Sequence, residues 1–103
     1  MKIPKRFKIF SHTYEVDLAD DLFHNENIWG KVRYRLSQIS LQSDKSPDAP
    51  RPLPFVKQTF WHEILHVIFF HLGEKELDDN EKLVERMSES LAQIIETMEW
   101  EEE

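Results

Sequence analysis

An α+β domain is the fold class this sequence predicts, and three observations predict it. Short runs of alternating polar and apolar residues fill the first half, and a proline-rich connector follows. Two segments with helical spacing then occupy the second half, so strands precede helices instead of alternating with them. At 103 residues the chain has room for one domain, 1–103, whose apolar side chains must serve one packing unit.

The strands come first. Arg6-Phe7-Lys8-Ile9-Phe10 alternates, and Thr13-Tyr14-Glu15-Val16-Asp17 alternates again, with Ser11-His12 read as a bulge or bend within one long strand. Residues 19–27 carry Asp20, Asp21, Asn25 and Asn27 and predict a loop with one helical turn. Two further β-like runs lie around residues 31–34 and 38–41. The expected result is a small, mainly antiparallel three-stranded sheet covering one face of a two-helix unit.

Residues 43–54 hold four of the five prolines and form the connector. Pro54 suits a helix start, where its missing N–H costs nothing. From Phe55 to Leu72 apolar residues fall at nearly every helical azimuth, which predicts a helix buried on all sides, with Gly73 as its C′ residue. A second helix is expected from an N-cap at Asp78 or Asp79 to about Trp100, with Leu77, Val84, Leu91, Ile95 and Met98 along one stripe.

Composition narrows the function classes. A formal net charge of −7 argues against nucleic-acid binding, which rests largely on Lys and Arg. The basic start (Lys2, Lys5, Arg6, Lys8) is read as a solvated strand surface. With no cysteine there are no disulfides, and any metal site must be built from His, Asp and Glu. No secretory signal is visible, and the apolar run Ile64–Leu72 is too short to span a bilayer. A cytoplasmic protein without membrane contact is the expectation.

One segment carries chemistry. His62-Glu63-Ile64-Leu65-His66 matches H-E-x-x-H. Histidines four apart on a helix lie on one face, so both imidazoles can reach one metal ion. Glu63 stands beside that face, where it can take a proton from water and pass it to a leaving amine. The competing explanations are chance and an ordinary polar network. Against them, the only polar side chains from Phe60 to Leu72 are His62, Glu63, His66 and His71, and buried polar groups need partners that a cation supplies at once.

A catalytic zinc site takes three protein ligands and leaves a position open. His71 follows His66 by five residues, about 140° round the helix, a poor azimuth for sharing a metal. Glu81 occupies a stripe position and is expected to face inward among apolar neighbours. Its alternative role is N3 of a capping box begun by Asp78. Glu85, one turn on, either supports a histidine or is a solvated helix charge.

The HExxH run, followed by a short turn and Asn80-Glu81-x-x-Val84-Glu85-x-Met87-Ser88, resembles the gluzincin pattern, in which a Glu on the next helix completes the site. That resemblance implies Glu81 as third zinc ligand and Glu85 in the position of a carboxylate or amide that supports the ligands, although Glu there departs from the usual Asp or Asn. Strands followed by HExxH and a Glu-bearing helix also resemble the minimal metallopeptidases of phages and bacteria, including the IrrE/ImmA type. The similarity covers about residues 59–95. It implies a zinc-dependent peptidase acting on a protein or peptide substrate with Glu63 as general base. The rival expectation is a non-catalytic zinc-binding adaptor or regulator of phage or bacterial kind. Tyr14, Tyr34, His12, His24 and His71 are donors the sequence leaves unplaced.

Overall fold

The computed structural model describes residues 2–101. Its elements are strands β1 (Arg6–Ile9) and β2 (His12–Ala19), a short helix α1 (Leu22–Glu26), strands β3 (Gly30–Arg33) and β4 (Gln38–Gln42), and helices α2 (Leu53–Leu72), α3 (Lys75–Asp78) and α4 (Glu81–Thr97). A 3-10 turn over Tyr34–Leu36 joins β3 to β4. The architecture is α+β, as expected, but the sheet has four strands in the order β1-β2-β4-β3.

Two local decisions separate this sheet from the expected three-stranded one. Ser11-His12 is not a bend in a continuous strand. Ile9 pairs with His12 across a two-residue turn, and Phe10 takes a positive φ of 52° to close it. No Gly or Asn marks that turn in the sequence, so β1 and β2 read as one run. The second decision is the parallel pairing of β2 with β4, with Val16 opposite Ile39 and Leu18 opposite Leu41. Parallel neighbours need a crossover of a dozen or more residues, and here the crossover contains α1 and β3. The sheet is therefore mixed, with β3 antiparallel to β4 at one edge.

Gln42, fully buried, fixes this crossover. Its carbonyl oxygen accepts from the Phe23 backbone N–H, while its amide donates to the carbonyls of Asp20 and Ala49. Ser46 also donates to the Asp20 carbonyl. The proline-rich connector is thus tied to the end of β2, and a buried amide so satisfied favours one arrangement over others.

Helix α2 packs two ways. One side joins Val56, Phe60 and Val67 to Tyr14, Ile39 and Leu41 of the sheet, and another side joins Leu65 and Phe69 to Val84 of α4. These two interfaces explain its apolar residues at many azimuths. Burial is incomplete towards the ends, where Phe55, Phe70 and Leu72 stay about half exposed. Pro54 sits in the first turn, and Gly73 closes the helix in the left-handed region, its N–H reaching the Phe69 and Phe70 carbonyls.

Helix α4 starts later than expected. Its N-cap is Asn80, whose side chain accepts from the Leu83 N–H. Asp78 and Asp79 belong instead to the short α3 and its end. The helix stops at Thr97, leaving Trp100 exposed beyond it. Among the described residues, no helix is long and apolar enough to cross a membrane.

Candidate metal centre

The HExxH segment lies in the middle of α2, so its spacing acts as a helix dictates. The rings of His62 and His66 stand side by side, with centroids 5.0 Å apart. The turn after Gly73 and the short α3 reverse the chain and bring the first residue of α4, Glu81, over this pair. Glu81 Oε2 lies 3.3 Å from His62 Nε2, and Oε1 lies 3.0 Å from His66 Nε2. One ligand atom from each of His62, His66 and Glu81 can be chosen so that all three lie within 4.8 Å of one another, a group that could hold a metal ion.

Glu81 reaches this position differently from the sequence expectation. Its side chain is 67% exposed, so it does not face inward on the α4 stripe. It is also not the N3 residue of a capping box, because Asn80 is the cap and Glu81 is the first helical residue. A solvent-facing carboxylate at a helix start bends back over the face of α2.

The other ring nitrogens identify the tautomers. His62 Nδ1 is 2.9 Å from Glu85 Oε2, and His66 Nδ1 is 2.6 Å from Asp78 Oδ1. An ionised carboxylate only accepts, so each Nδ1 carries its proton and donates. In a ring protonated at Nδ1 alone, the Nε2 lone pair would face the Glu81 oxygens, which are also acceptors, whereas a ring protonated at both nitrogens would donate to them. Acceptors at 3.0–3.3 Å repel one another unless a positive charge lies among them. Ligand atoms about 2.0–2.1 Å from a tetrahedral ion stand roughly 3.3 Å apart. A metal ion could supply that charge, and the three side chains are close enough to hold one.

Glu85 thus has a definite place. Its second oxygen accepts from Gln58 Nε2 at 3.0 Å, which fixes the carboxylate that orients His62. Asp78 plays the matching part for His66, and sequence reasoning missed it by assigning it to a helix cap. No periodicity pointed to it, since it lies in a four-residue helix between the two long ones. A carboxylate on the far nitrogen of a ligating imidazole raises its basicity and fixes its orientation.

Glu63 is buried at the edge of this group. Burial pushes its carboxyl above the usual carboxylate range; His62 and His66 oppose that rise, and Glu81 adds to it. A cavity of about 300 Å³ opens beside it, lined by Trp29, Gly30, Arg51, Thr59, His62 and Glu63 among others. Gly30 permits this approach of β3 to α2. A Cβ there would stand 2.6 Å from Thr59 Cγ2 and 3.4 Å from Glu63 Cγ, so only glycine fits without displacement.

His71 does not join the group. Its Nε2 lies 2.7 Å from the Tyr14 hydroxyl, and its ring lies tilted against that of His12 with centroids 4.5 Å apart. Tyr34 stacks on Phe70 at 4.0 Å, one turn beyond His66. Burial raises its phenol pKa, and the charges of Asp78 and Glu63 raise it further.

The fold and the donor group together define a small α+β domain with a possible metal site on an HExxH helix. No protein family, curated protein or solved structure matches the chain.

Proposed function

We propose that this chain is a zinc-dependent peptidase that holds its metal with His62, His66 and Glu81 and uses Glu63 as general base. The observation that carries the reading is the opposed pairing of each imidazole. Carboxylates Glu85 and Asp78 hold the two Nδ1 atoms, while both Nε2 atoms turn towards Glu81. Two imidazole nitrogens and one carboxylate oxygen, with no thiolate, form a donor set suited to catalytic zinc. When bound, zinc supplies a Lewis acid for a carbonyl oxygen and makes water acidic enough to act as a nucleophile near neutral pH.

The chain's own residues supply the rest. Glu63, adjacent to the histidines and poorly solvated, accepts a proton from the attacking water and returns it to the leaving amine nitrogen. Glu85 and Asp78 keep the rings aimed while that happens. The edge strand β3 runs beside α2 at Gly30, and its outer edge has no strand partner among the described residues. An extended peptide added there would present its backbone beside Glu63. Glu63 is buried and makes no side-chain hydrogen bond among the described residues, which favours catalysis over a purely structural site, which needs ligands only.

The test is metal content, by plasma mass spectrometry on protein purified without a His-tag, together with cleavage of a peptide library read by mass spectrometry. About one zinc per chain and defined cleavage products are expected. Glu63→Gln should keep the metal and lower turnover by about 10²–10⁴-fold. Absence of zinc after reconstitution, or cleavage indifferent to that substitution, would sink the proposal. Bound zinc without cleavage of any peptide would leave a non-catalytic zinc-binding module.

A further inference from the structure

Arg51 belongs to none of the roles above, yet it lines the same cavity as His62 and Glu63. Its guanidinium lies over the Trp29 ring at 4.8 Å and near the Phe55 ring at 5.7 Å. Trp29 in turn stacks on Phe23 at 4.2 Å, so the wall under the cation is backed by a second ring. One guanidinium N–H donates to Thr59 Oγ1, whose own hydroxyl donates to the Phe55 carbonyl. Cation–π contacts and a rooted hydrogen bond hold a planar fork in one orientation.

What Arg51 lacks is an anion. Among the described residues it forms no ion pair. Glu85 influences it only at longer range, and burial works against its charge. The two Glu85 oxygens are occupied by His62 and Gln58. A guanidinium partly removed from water, with most of its five N–H donors unused by protein, is left facing a cavity of about 300 Å³. Aromatic faces and a hydroxyl orient such a charge but do not neutralise it.

We propose that Arg51 is the specificity-determining residue of this site and binds a carboxylate of the peptide substrate in the cavity beside Glu63. The inference rests on the peptidase reading and deepens it by naming the substrate class. The chemistry is a carboxylate received by a fixed guanidinium fork. That carboxylate comes either from an Asp or Glu side chain next to the scissile bond or from the C-terminus of the peptide. Among the described residues that line the cavity, Arg51 is the only Lys or Arg.

Two measurements test it. In the first, the zinc-loaded protein is given matched peptides with Asp or Glu, with Asn or Gln, and with free or amidated C-termini. Preference for the acidic side chain identifies an internal carboxylate, and preference for the free terminus identifies a carboxypeptidase-like site. Arg51→Gln should lower kcat/KM for the preferred carboxylate substrate by about 10–100-fold, the worth of one charge-assisted pair. Its effect on the uncharged partner should be under about threefold, for the same reason. Equal losses on both, or no carboxylate preference in the parent protein, would overturn the assignment. In the second, the Arg51 Nε–Hε resonance is followed by NMR during titration with acetyl-glycyl-glycine and with its amide. A shift with the acid alone supports the proposal, even if the chain cleaves nothing and the peptidase reading fails. The same response to both compounds, or none to either, refutes it.

Discussion

Helix α2 carries three histidines, and the protein treats those in its middle differently from the one at its end. His62 and His66 each meet a carboxylate at Nδ1 and turn Nε2 to a third carboxylate. His71 meets a phenol and another imidazole. The side-chain type is the same, and so is the helix. What differs is the chain that folds over each face. The α3–α4 segment brings three acidic side chains to the middle of α2, whereas the β1–β2 hairpin brings a phenol and an imidazole to its end. The carboxylates at Nδ1 orient the two rings so that both Nε2 atoms face Glu81. Burial, and secondarily the neighbouring His12, lowers the pKa of His71 instead, and the Tyr14 hydroxyl can then donate to its bare nitrogen.

This contrast can be broken most forcefully at the two histidines in the middle of α2. His62→Ala or His66→Ala should abolish stoichiometric metal binding and lower the melting temperature of the metal-loaded protein, because ligation is coupled to folding. His71→Ala should leave metal content unchanged. Comparable metal loss in all three proteins would erase the distinction between the two regions.

A smaller effect should follow from the carboxylates behind the rings. Asp78→Asn and Glu85→Gln are each expected to weaken metal affinity by about 10–100-fold, measured by chelator competition. Tyr14→Phe, the corresponding change at His71, should not alter affinity. Unchanged affinity in both carboxylate variants would mean that the rings are aimed by helix geometry alone.

The approach of β3 to α2 is tested by Gly30→Ala. The added methyl meets Thr59 Cγ2 at 2.6 Å, and overpacking of this kind costs about 1–3 kcal/mol. Urea unfolding reads the change, and full stability would show that β3 can move away from the helix without penalty.

The smallest effect belongs to His71. Its pKa in the folded protein lies below the ordinary 6.5, so the unfolded chain binds the proton first as pH falls. Its contribution to stability is present above about 6.5 and is lost as pH drops through the folded value. Metal-free protein and its His71→Gln variant, compared across that range, should differ progressively below pH 6.5. Parallel stability curves would show that burial and His12 do not act on this group.

Much of the site was legible in the residues themselves. His62, Glu63 and His66 are four residues apart at most, and Glu81 and Glu85 recur at helical spacing beyond one turn. Helical periodicity places such residues on common faces with little help from the rest of the chain. Asp78 was not legible in that way, because a short helix between two long ones carries no periodic signal. Glu81 was chosen on its place in an apolar stripe, but it reaches the histidines from an exposed helix start. Arg51 gave no signal either: it sits among prolines, and only the folded connector sets it on Trp29.

The sequence by itself determined the elements whose rules are local: the alternating strands, the two long helices, the glycine at the end of α2 and the pairing of His62 with His66 on one face. Tertiary structure decided the pairing of β2 with β4, the choice of Asp78 and Glu85 as partners for the rings, and the isolation of Arg51 beside Glu63. The physical reason is range. Helix and strand periodicities repeat within a few residues, whereas sheet order and charge pairing depend on which distant segments share space once the core has formed around Tyr14, Ile39, Leu41 and Phe60.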